Sequence, residues 1–363
     1  MTRVGYMLTR VVAPSVTANA TDQMTALVKT TAEPGMELKS VPIPEPGPGE
    51  VRIRVESVGI DGGAEALIYD WHHSKHHYAD DLPQLFGHEF AGTVDATAPD
   101  VDGVETGERV AVEPILGCGN CRICRSGSFA ICPDRRIIGL HTELAGALAE
   151  YAVVPREAIY PIGSVSAEEG VFLELLGLAV HGFERSGFKA GDSVAITGPG
   201  PVGIGALVAA VAAGASSVTV VGTEEDRGDR LPLARELGAT RTVVTDELED
   251  GLAEDVDVFI EAAGHPDAFS LAASSTAIGG EIVQIGIFHG EETVPVDLTH
   301  LVRRGVSVTT VYGRRDSSWR RAIAIAENTD LSPALGPSFP LEEYEDAFKA
   351  TRERAGIKIT LRP

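Results

Sequence analysis

Apolar and polar residues alternate with a period of two through the first third of the chain, which is the pattern of half-buried strands. The clearest run is residues 51–55, where valine and isoleucine alternate with arginine. An extended, proline-rich connector at residues 42–48 precedes it. Similar runs at residues 26–29, 37–41, 90–94 and 109–112 predict a β-rich, loop-rich first domain that begins near residue 24.

From residue 167 onward, apolar strands alternate with helical stretches. A helix is predicted over residues 167–186, and a fully apolar strand follows at 193–197. Further strands are predicted at 218–221, 241–244, 256–260, 281–285 and 306–311, with helices at 201–213 and 231–237. This alternation predicts an α/β fold with a parallel, doubly wound sheet.

The end of the chain is expected to return to the first domain, through helices at 319–328 and 344–354 and a strand at 358–361. One domain is therefore predicted from residues 24–178 and 313–363, and the other from residues 179–312. Residues 1–23 lack the apolar core and cleavage site of a signal peptide. They precede a second methionine, Met24, and are expected to be a disordered tail or the product of a mis-assigned start.

Acidic residues outnumber basic ones by 53 to 30 in this chain of 363 residues, which gives a formal net charge of −23. This balance argues against nucleic acid and anionic membranes as partners, because both bind basic surfaces. A lysine-poor, acidic surface resembles that of halophilic proteins, whose charges are screened within about 3 Å at 1 M salt. We therefore expect a halophilic, cytoplasmic protein, with an ordinary acidic soluble protein as the alternative.

All four cysteines lie in one glycine-rich loop with the spacing C-x2-C-x2-C-x7-C, at Cys118, Cys121, Cys124 and Cys132. Four thiolates this close in sequence can hold one tetrahedral Zn²⁺. Two disulfides are the alternative, but clustered cysteines in an intracellular chain indicate metal more often than bridges. We expect a structural zinc site here, and any second metal site must then be built without thiolates.

A glycine-rich turn, Gly198-Pro199-Gly200-Pro201-Val202-Gly203, lies between a buried strand and a helix. In this context the three glycines make the turn, admit a pyrophosphate close to the backbone and pack the helix on the strand. The helix N-terminus then supplies free N–H groups to the phosphates. A dinucleotide-binding site is predicted, and a glycine-rich connector that binds nothing is the alternative.

The choice between NAD and NADP stays open at this point. An acidic residue at the end of the second strand would bind the ribose 2′-hydroxyl of NAD, but Gly222 and Thr223 occupy that position. Glu224 and its acidic neighbours would repel a 2′-phosphate or accept the ribose diol. Arg227 and Arg230 would attract the phosphate.

Three segments outside the cysteine loop carry candidate metal ligands. Asp61 ends a strand before two glycines, His88 and Glu89 open the strand at residue 90, and Glu174 lies in an apolar helix. One histidine and carboxylates could form a three-ligand zinc site with an open position for substrate. Taken singly, Asp61 could be a turn residue, His88 a hydrogen-bonded core histidine and Glu174 a buried carboxylate paired with an arginine.

In the order and spacing of these motifs, the chain resembles the medium-chain, zinc-containing alcohol dehydrogenases over nearly its whole length from Met24. The matching motifs also include Glu261-Ala262-Ala263-Gly264 and Gly279-Gly280. The resemblance implies a GroES-like catalytic domain and a Rossmann domain, with substrate and zinc in the cleft between them. It is greatest to the polyol, sugar and threonine dehydrogenases, and Asp61 resembles the first ligand of haloarchaeal glucose dehydrogenases.

The resemblance implies a role for each matching residue. Asp61 and His88 are the first two catalytic zinc ligands, and Glu89 and Glu174 are carboxylates that contact zinc directly or through water. A second, structural zinc is held by the four cysteines, and the cofactor is NAD or NADP. The implied cofactor-binding residues are Gly198, Gly200, Pro201, Val202, Gly222, Thr223, Glu224, Arg227, Ala263 and Gly286.

The chain departs from the family pattern at three places. Gly63 stands where relatives have the serine or threonine that starts a proton relay, and Leu175 replaces a proline after Glu174. Thr223-Glu224 replaces the arginine pair that binds NADP in the haloarchaeal enzymes. The loop at residues 71–78 carries four histidines, which could form a separate metal site, although a mobile loop at the cleft mouth is favoured. His72 or His73 is a candidate proton shuttle because imidazole titrates near neutral pH.

These features predict an NAD(P)-dependent zinc dehydrogenase that oxidises a hydroxyl group of a sugar or polyol by hydride transfer. The alternatives are an L-threonine 3-dehydrogenase or another secondary-alcohol dehydrogenase, and, in a different class, a dinucleotide-binding sensor with little catalysis. The expected partner is a small alcohol, sugar or polyol. A homodimer or homotetramer is also expected, with the strand at 306–311 pairing across subunits.

Overall fold

The structure is a computed structural model that describes residues 22–73, 82–248, 251–288 and 293–363. The strands of the first half are β1 (Gln23–Lys29), β2 (Glu37–Pro42), β3 (Glu50–Ile60), β4 (Gln84–Leu85), β5 (Phe90–Thr97), β6 (Arg109–Val112), β7 (Ile115–Leu116), β8 (Arg136–Ile137), β9 (Tyr151–Pro155) and β10 (Ile159–Pro161). Those of the second half are β11 (Ser193–Thr197), β12 (Ser217–Gly222), β13 (Arg241–Val244), β14 (Val256–Glu261), β15 (Thr276–Gln284), β16 (Ser307–Thr310), β17 (Leu335–Pro340) and β18 (Lys358–Arg362). The helices are α1 (Glu65–Tyr69), α2 (Arg122–Arg125), α3 (Ala167–Arg185), α4 (Pro201–Ala212), α5 (Arg230–Glu236), α6 (Pro266–Ser275), α7 (Leu298–Arg304), α8 (Asp316–Ala326) and α9 (Tyr344–Arg352).

The first large sheet has seven strands, ordered β10-β6-β5-β3-β18-β17 with β9 also paired to β3. Its central strand β3 buries alternate residues, as the period-two pattern predicts. The last strand of the chain, β18, lies antiparallel to β3, with Thr360 opposite Gly59. The carboxyl-terminal elements therefore complete the sheet that the amino-terminal elements begin.

The second sheet has six parallel strands in the order β13-β12-β11-β14-β15-β16. The strand order reverses direction between β11 and β14, and in such sheets ligands bind in the crevice at the carboxyl ends of these strands. The predicted α/β class with a doubly wound sheet is thus confirmed. The sheet also places the residues after β11 and β14 side by side.

Helix α3 packs between the two sheets, contacting β3, β5 and β6 on one side and α4 and α8 on the other. It begins with a capping box, in which the Ser166 hydroxyl accepts from the backbone N–H of Glu169 and the Glu169 carboxylate binds back. Most of its 19 residues are buried, as expected for a helix that is apolar on nearly all faces. No helix in the described parts of the chain is long and apolar enough to cross a membrane.

Most predicted elements agree with the structure to within a few residues, but ten were missed: α1, α2, α6, α7, β4, β7, β8, β9, β10 and β17. β10 and α7 are short, and β17 carries a glycine and two prolines. Such segments have weak periodicity, so tertiary pairing decides their structure. The predicted tail falls mostly on residues 1–21, which lie outside the described residues.

Candidate active site

A cleft of about 310 Å³ lies between the two sheets. The seven-stranded sheet and its loops contribute Asp61, His88 and Glu89, and α3 contributes Glu174. The opposite wall includes Val202 at the start of α4, Ala263 after β14 and Gly286 after β15. The cleft thus brings the predicted metal ligands and part of the predicted cofactor site to one cavity.

His88 is held by a buried glutamate that the sequence did not single out. The Glu65 carboxylate, fully buried at the start of α1, contacts His88 Nδ1 at 2.6 Å and accepts the backbone N–H of His88 at 3.1 Å. Burial lowers the pKa of His88, but the carboxylates of Glu65, Glu89 and Asp61 outweigh it and raise that pKa to about 10. Since Nδ1 is engaged, Nε2 is the nitrogen available to a metal.

Asp61 combines a structural contact with a position in the cleft. Its Oδ1 accepts the backbone N–H of Gly63 at 2.7 Å, so it does cap a turn. Its own backbone N–H donates to Glu65 Oε2 at 3.3 Å, which links it to the His88 partner. Glu65 therefore fixes both residues that the sequence analysis treats as first and second ligands.

Glu89 forms a fully buried ion pair with Lys358 of β18. Burial raises the pKa of Glu89, and Lys358 acts in the opposite direction. Burial lowers the pKa of Lys358, but the charge of Glu89 outweighs it and raises that pKa. Glu89 lines the cleft beside His88, so this pair sets the charge at the inner end of the site.

Glu174 is a carboxylate paired with an arginine, one of the alternatives considered for it. Arg314 Nη1 lies 2.5 Å from Glu174 Oε1 and also donates to the Glu174 carbonyl at 3.0 Å. The other side of the same guanidinium binds Glu113, at 2.7 and 2.9 Å, and Trp319 Nε1 donates to Glu113 at 2.5 Å. Arg314 is only 1% exposed, so two carboxylates neutralise a buried cation that lines the cleft.

The formal charges around His88 favour a bound cation. Five carboxylates surround the site, against two permanent cations, Lys358 and Arg314; the five are Asp61, Glu65, Glu89, Glu113 and Glu174. Among the described residues, only the four cysteines form a group whose ligand atoms all lie within 4.8 Å of one another. No three of Asp61, His88, Glu89 and Glu174 form such a group. The donor set, one free imidazole nitrogen and several carboxylates, fits zinc. A bound cation would offset the net negative charge of these groups.

The four thiols are already gathered. Their sulfur atoms all lie within 4.8 Å of one another, and the sulfurs of Cys121 and Cys132 are 3.8 Å apart, well beyond the length of a disulfide bond. The backbone N–H of Cys124 lowers the pKa of Cys121 to about 7. Gly117 gives the loop its close packing, since a Cβ there would lie 2.6 Å from Cys124 Sγ. This geometry fits a tetrahedral structural zinc site.

The glycine turn has the geometry of a phosphate cradle. Gly198 has φ +83°, Gly200 caps α4, and Pro201 is the first helical residue. A Cβ on Gly203 would collide with the Gly198 carbonyl oxygen, and a Cβ on Gly198 would lie 2.8 Å from Ala263. Only glycine allows this approach of helix and strand, which leaves the N-terminal N–H groups of α4 facing the crevice. The turn therefore fits a diphosphate.

A second cavity, of about 630 Å³, continues from the glycine turn along the end of β12. Gly198, Gly222, Thr223 and Ala263 line it, whereas Glu224 and Arg227 lie just beyond its lining. Pro201, Val202 and Arg230 line a third cavity of about 260 Å³, which extends to Asp61 and Gly63. The predicted cofactor residues that line these cavities thus follow one path, whereas Arg227 lines a separate pocket together with Glu247. The individual roles of all these residues stay predictions.

Glu261 ties the two loops that form the cofactor side of the cleft. Its carboxylate accepts the N–H groups of Ala263 and Gly264 at 2.9 and 2.8 Å and also binds the Gln284 amide. Its carbonyl oxygen accepts the N–H of Gly286 at 2.9 Å. The motif that resembled the family in sequence is therefore a structural clamp between the loops after β14 and β15.

The histidine loop is only partly described, because His76, His77 and Tyr78 lie outside the described residues. His72 and His73 are exposed, and their rings lie tilted by 39° with centroids 4.0 Å apart. Neither residue lines the three cavities above. Thr351 lines the third cavity together with Gly63, so a hydroxyl is present near the position where Gly63 lacks one.

Four residues of the site were not predicted from the sequence: Glu65, Glu113, Arg314 and Lys358. Lys358 carried the clearest signal, since it begins an apolar strand in a chain that has few lysines. Glu65 follows Asp61 by four residues, a spacing that could have suggested a contact. Arg314 and Glu113 are joined only by the tertiary fold, and nothing local marks them.

Replacing Glu65 with glutamine should weaken zinc binding in the cleft and turnover by about 10–100-fold, the usual effect of removing a partner that orients a metal-binding histidine. The amide cannot match the carboxylate at His88 Nδ1 and at the two backbone N–H groups. Zinc retention against a competing chelator and kcat/KM would measure the effect. Asp70→Asn, an exposed change just after α1, is the matched control, and equal behaviour of the two variants would contradict this role.

The family comparisons agree with this geometry. The sequence matches the family descriptions "Alcohol dehydrogenase GroES-like domain" over residues 47–164 and "Zinc-binding dehydrogenase" over residues 201–328. It is 36% identical over 356 residues to the L-threonine 3-dehydrogenase of Bacillus velezensis, which covers 94% of this chain and 99% of that protein.

Solved structures give the same result. A zinc-binding dehydrogenase from Sinorhizobium meliloti 1021, bound to NADP, superimposes with a TM-score of 0.85 at 27% identity, covering 94% of this chain and all of that one. The 2R,3R-butanediol dehydrogenase of Bacillus subtilis gives 0.82 at 26% identity, covering 94% and 99%. The predicted family is confirmed: the chain belongs to the medium-chain, zinc-containing alcohol dehydrogenases, which act on CH–OH groups.

Proposed function

We propose that this protein is a zinc-dependent, NAD(P)-linked dehydrogenase that oxidises the secondary hydroxyl of a small uncharged alcohol or polyol. The observation that carries the proposal is the shared cleft. His88, Asp61 and the carboxylates line one wall, and the loops continuous with the glycine turn line the other. A hydroxyl-bearing carbon bound there would lie between a metal and a nicotinamide, as hydride transfer requires.

In this proposal Asp61 and His88 hold the catalytic zinc, with Glu89 or Glu174 as a further ligand, and the four cysteines hold the structural zinc. When bound, the catalytic zinc supplies a Lewis acid that polarises the substrate oxygen. Glu65 orients His88, Lys358 neutralises the charge of Glu89, and Arg314 holds the carboxylate of Glu174 in an ion pair. The chain's own task is to position the substrate carbon against the cofactor and to keep the site free of bulk water.

The cleft lining favours an uncharged substrate. Ile115, Leu140 and Leu178 are among several aliphatic residues that form much of it. Arg314 is the one arginine or lysine among the described lining residues, and its guanidinium is engaged by Glu113 and Glu174. A substrate carboxylate would therefore face carboxylates and aliphatic groups, which costs several kcal/mol when no partner is supplied. This supports an alcohol or polyol over an amino acid.

L-threonine is the second candidate, favoured by the curated relatives of full length, several of which are L-threonine 3-dehydrogenases. Its ammonium group could bind the acidic wall, but its carboxylate needs a donor. A third, non-catalytic possibility, a dinucleotide-binding sensor, predicts cofactor binding without turnover.

A substrate panel separates these candidates. Zinc-loaded protein at high salt would be given 2,3-butanediol, 2-butanol, sorbitol, glucose and L-threonine, with NAD and NADP in parallel, and cofactor reduction would be followed at 340 nm. We expect kcat/KM for a neutral alcohol or polyol to exceed that for L-threonine by at least about tenfold, or about 1.4 kcal/mol. Preference for L-threonine would overturn the substrate class, and cofactor binding with no reduction would overturn the enzymatic function.

Assembly, domain division and location are further parts of the proposal. The edge strand β16 and its surroundings expose Val308, Leu298, Val302 and Ile278. An exposed apolar edge strand favours pairing with a second copy, so we propose a homodimer, or a tetramer of such dimers. We propose the two domains predicted above, dividing near residues 178 and 312, and a cytoplasmic, halophilic setting.

A further inference from the structure

We propose that the cofactor cavity selects NAD(H) against NADP(H), and that a salt-bridge cluster formed by Glu224, Arg227 and Glu247 produces this selection. The inference rests on the proposed function, namely that a dinucleotide binds at the glycine turn. It concerns the end of β12, where the adenosine ribose lies in sheets of this topology.

Thr223, the first residue after β12, directs both of its hydrogen-bond donors into its own loop. Thr223 donates its backbone N–H and its hydroxyl to Asp226 Oδ2, at 2.8 and 3.1 Å. Asp226 is buried and approaches the strand end so closely that a Cβ on Gly222 would lie 2.9 Å from its side chain. The two donors of Thr223, which lines the cavity, therefore serve the loop and are not available to a phosphate.

The cations near this loop are neutralised by carboxylates. Arg227 Nε lies 2.9 Å from both carboxylate oxygens of Glu224, and its Nη2 lies 2.8 Å from Glu247. Arg354 is likewise shared between Glu225 and Asp226, at 3.0 and 2.6 Å. An arriving phosphate would have to displace a carboxylate to gain either guanidinium.

Arg230 faces a different part of the cofactor. Its guanidinium donates to the Gly356 carbonyl at 3.1 Å, and its Nη1 lies 3.9 Å from the position that a Cβ on Gly200 would take. Gly200 caps α4, so this cation lies by the diphosphate turn and lines the third cavity. Its charge also reaches Asp226, so it offsets that one acid at the end of β12 in part.

The formal charge around the strand end is negative. Two arginines, Arg227 and Arg354, are outnumbered by five acids, namely Glu224, Glu225, Asp226, Asp246 and Glu247. A 2′-phosphate, with about two negative charges, is repelled there. A ribose diol is a donor, and Glu224 retains lone pairs that can accept from it, so the same acids favour NAD.

Binding of cofactor fragments tests the inference without turnover. Calorimetry would compare ADP-ribose with 2′-phospho-ADP-ribose at fixed ionic strength. We expect ADP-ribose to bind at least about tenfold more tightly, because unit charges about 4 Å apart alter affinity several-fold even in water. In the double variant Glu224→Gln/Glu247→Gln, Arg227 is released from its two carboxylate partners. The ratio of the two dissociation constants should then fall by at least about tenfold, mainly because the phosphorylated fragment binds more tightly.

The control is Glu236→Gln/Glu254→Gln, which removes the same charge from two exposed positions that line none of these cavities. If the ratio of dissociation constants is unchanged in the control, the result supports the role of the salt-bridge cluster. If the ratio falls equally in both double variants, the net charge of the protein explains the selection and the role of the cluster is overturned. Equal or tighter binding of 2′-phospho-ADP-ribose by the unaltered protein would overturn the selection. Failure of both fragments to bind would overturn the proposed dinucleotide site, a result distinct from either.

Discussion

Replacing Arg314 with methionine is expected to destabilise the protein by about 3–5 kcal/mol, the usual cost of leaving one partner of a buried ion pair uncompensated. The guanidinium is the counter-charge for both Glu113 and Glu174, and it lies between α3, the loop after β6 and the segment after β16. Methionine has a similar length but no charge or donors. The buried Glu113 and the partly buried Glu174 would then face each other without a counter-charge.

Urea unfolding at constant salt would measure this effect. The matched control is Arg320→Met, because Arg320 is exposed on α8 and pairs only at the surface with Asp316. Such a pair contributes no more than about 1 kcal/mol. A triple variant that also carries Glu113→Gln and Glu174→Gln should recover part of the lost stability. Equal losses in Arg314→Met and Arg320→Met would show that the buried network is not what stabilises this region.

Replacing Asp61 with alanine is expected to abolish turnover while leaving the fold and the cysteine-bound zinc in place. In the proposed site Asp61 supplies one of the ligands, so the loss should exceed the roughly 10–100-fold typical of residues that only orient a ligand. Asp61→Asn keeps the Oδ1 acceptor for the Gly63 N–H and removes only the charge. It separates the ligand role from the turn role.

Zinc content per chain, kcat/KM and the thermal midpoint would be measured together. Both Asp61 variants should lose one of two zinc ions, and Asp61→Asn should keep its thermal stability. Asp95→Asn, which alters a peripheral pair with Arg52, controls for the loss of an aspartate. Full activity in Asp61→Asn would remove Asp61 from the metal site.

The sequence predicted those features that depend on neighbouring residues. Period-two alternation gave β3, the glycine spacing gave the turn before α4, and the cysteine spacing gave the thiol cluster, because each is encoded within about ten residues. Several residues that line the cleft were also identified, among them Asp61, His88, Glu89 and Glu174. Their immediate partners were not, and these partners decide the electrostatics of the site.

The unpredicted partners are distant in sequence. His88 binds Glu65, Glu89 binds Lys358, and Glu174 binds Arg314. An isolated charged residue in an apolar segment signals that a counter-charge exists, but not which residue provides it. The turn role of Asp61 and the arginine pairing of Glu174 were each weighed as alternatives to metal binding. In the structure, Asp61 and Glu174 both make these contacts and also line the cleft.

The position of β18 beside β3 has a consequence for synthesis on the ribosome. Domains form as the chain emerges, amino-terminal parts first, and residues 193–310 contain every strand of the six-stranded sheet. The seven-stranded sheet begins with β3 at Glu50–Ile60 but needs β17 and β18 from the end of the chain. The six-stranded sheet is therefore begun later than the seven-stranded sheet but can be completed before it. Until β18 has been synthesised, Glu89 lacks Lys358, and one edge of β3 stays open to chaperones or to premature pairing.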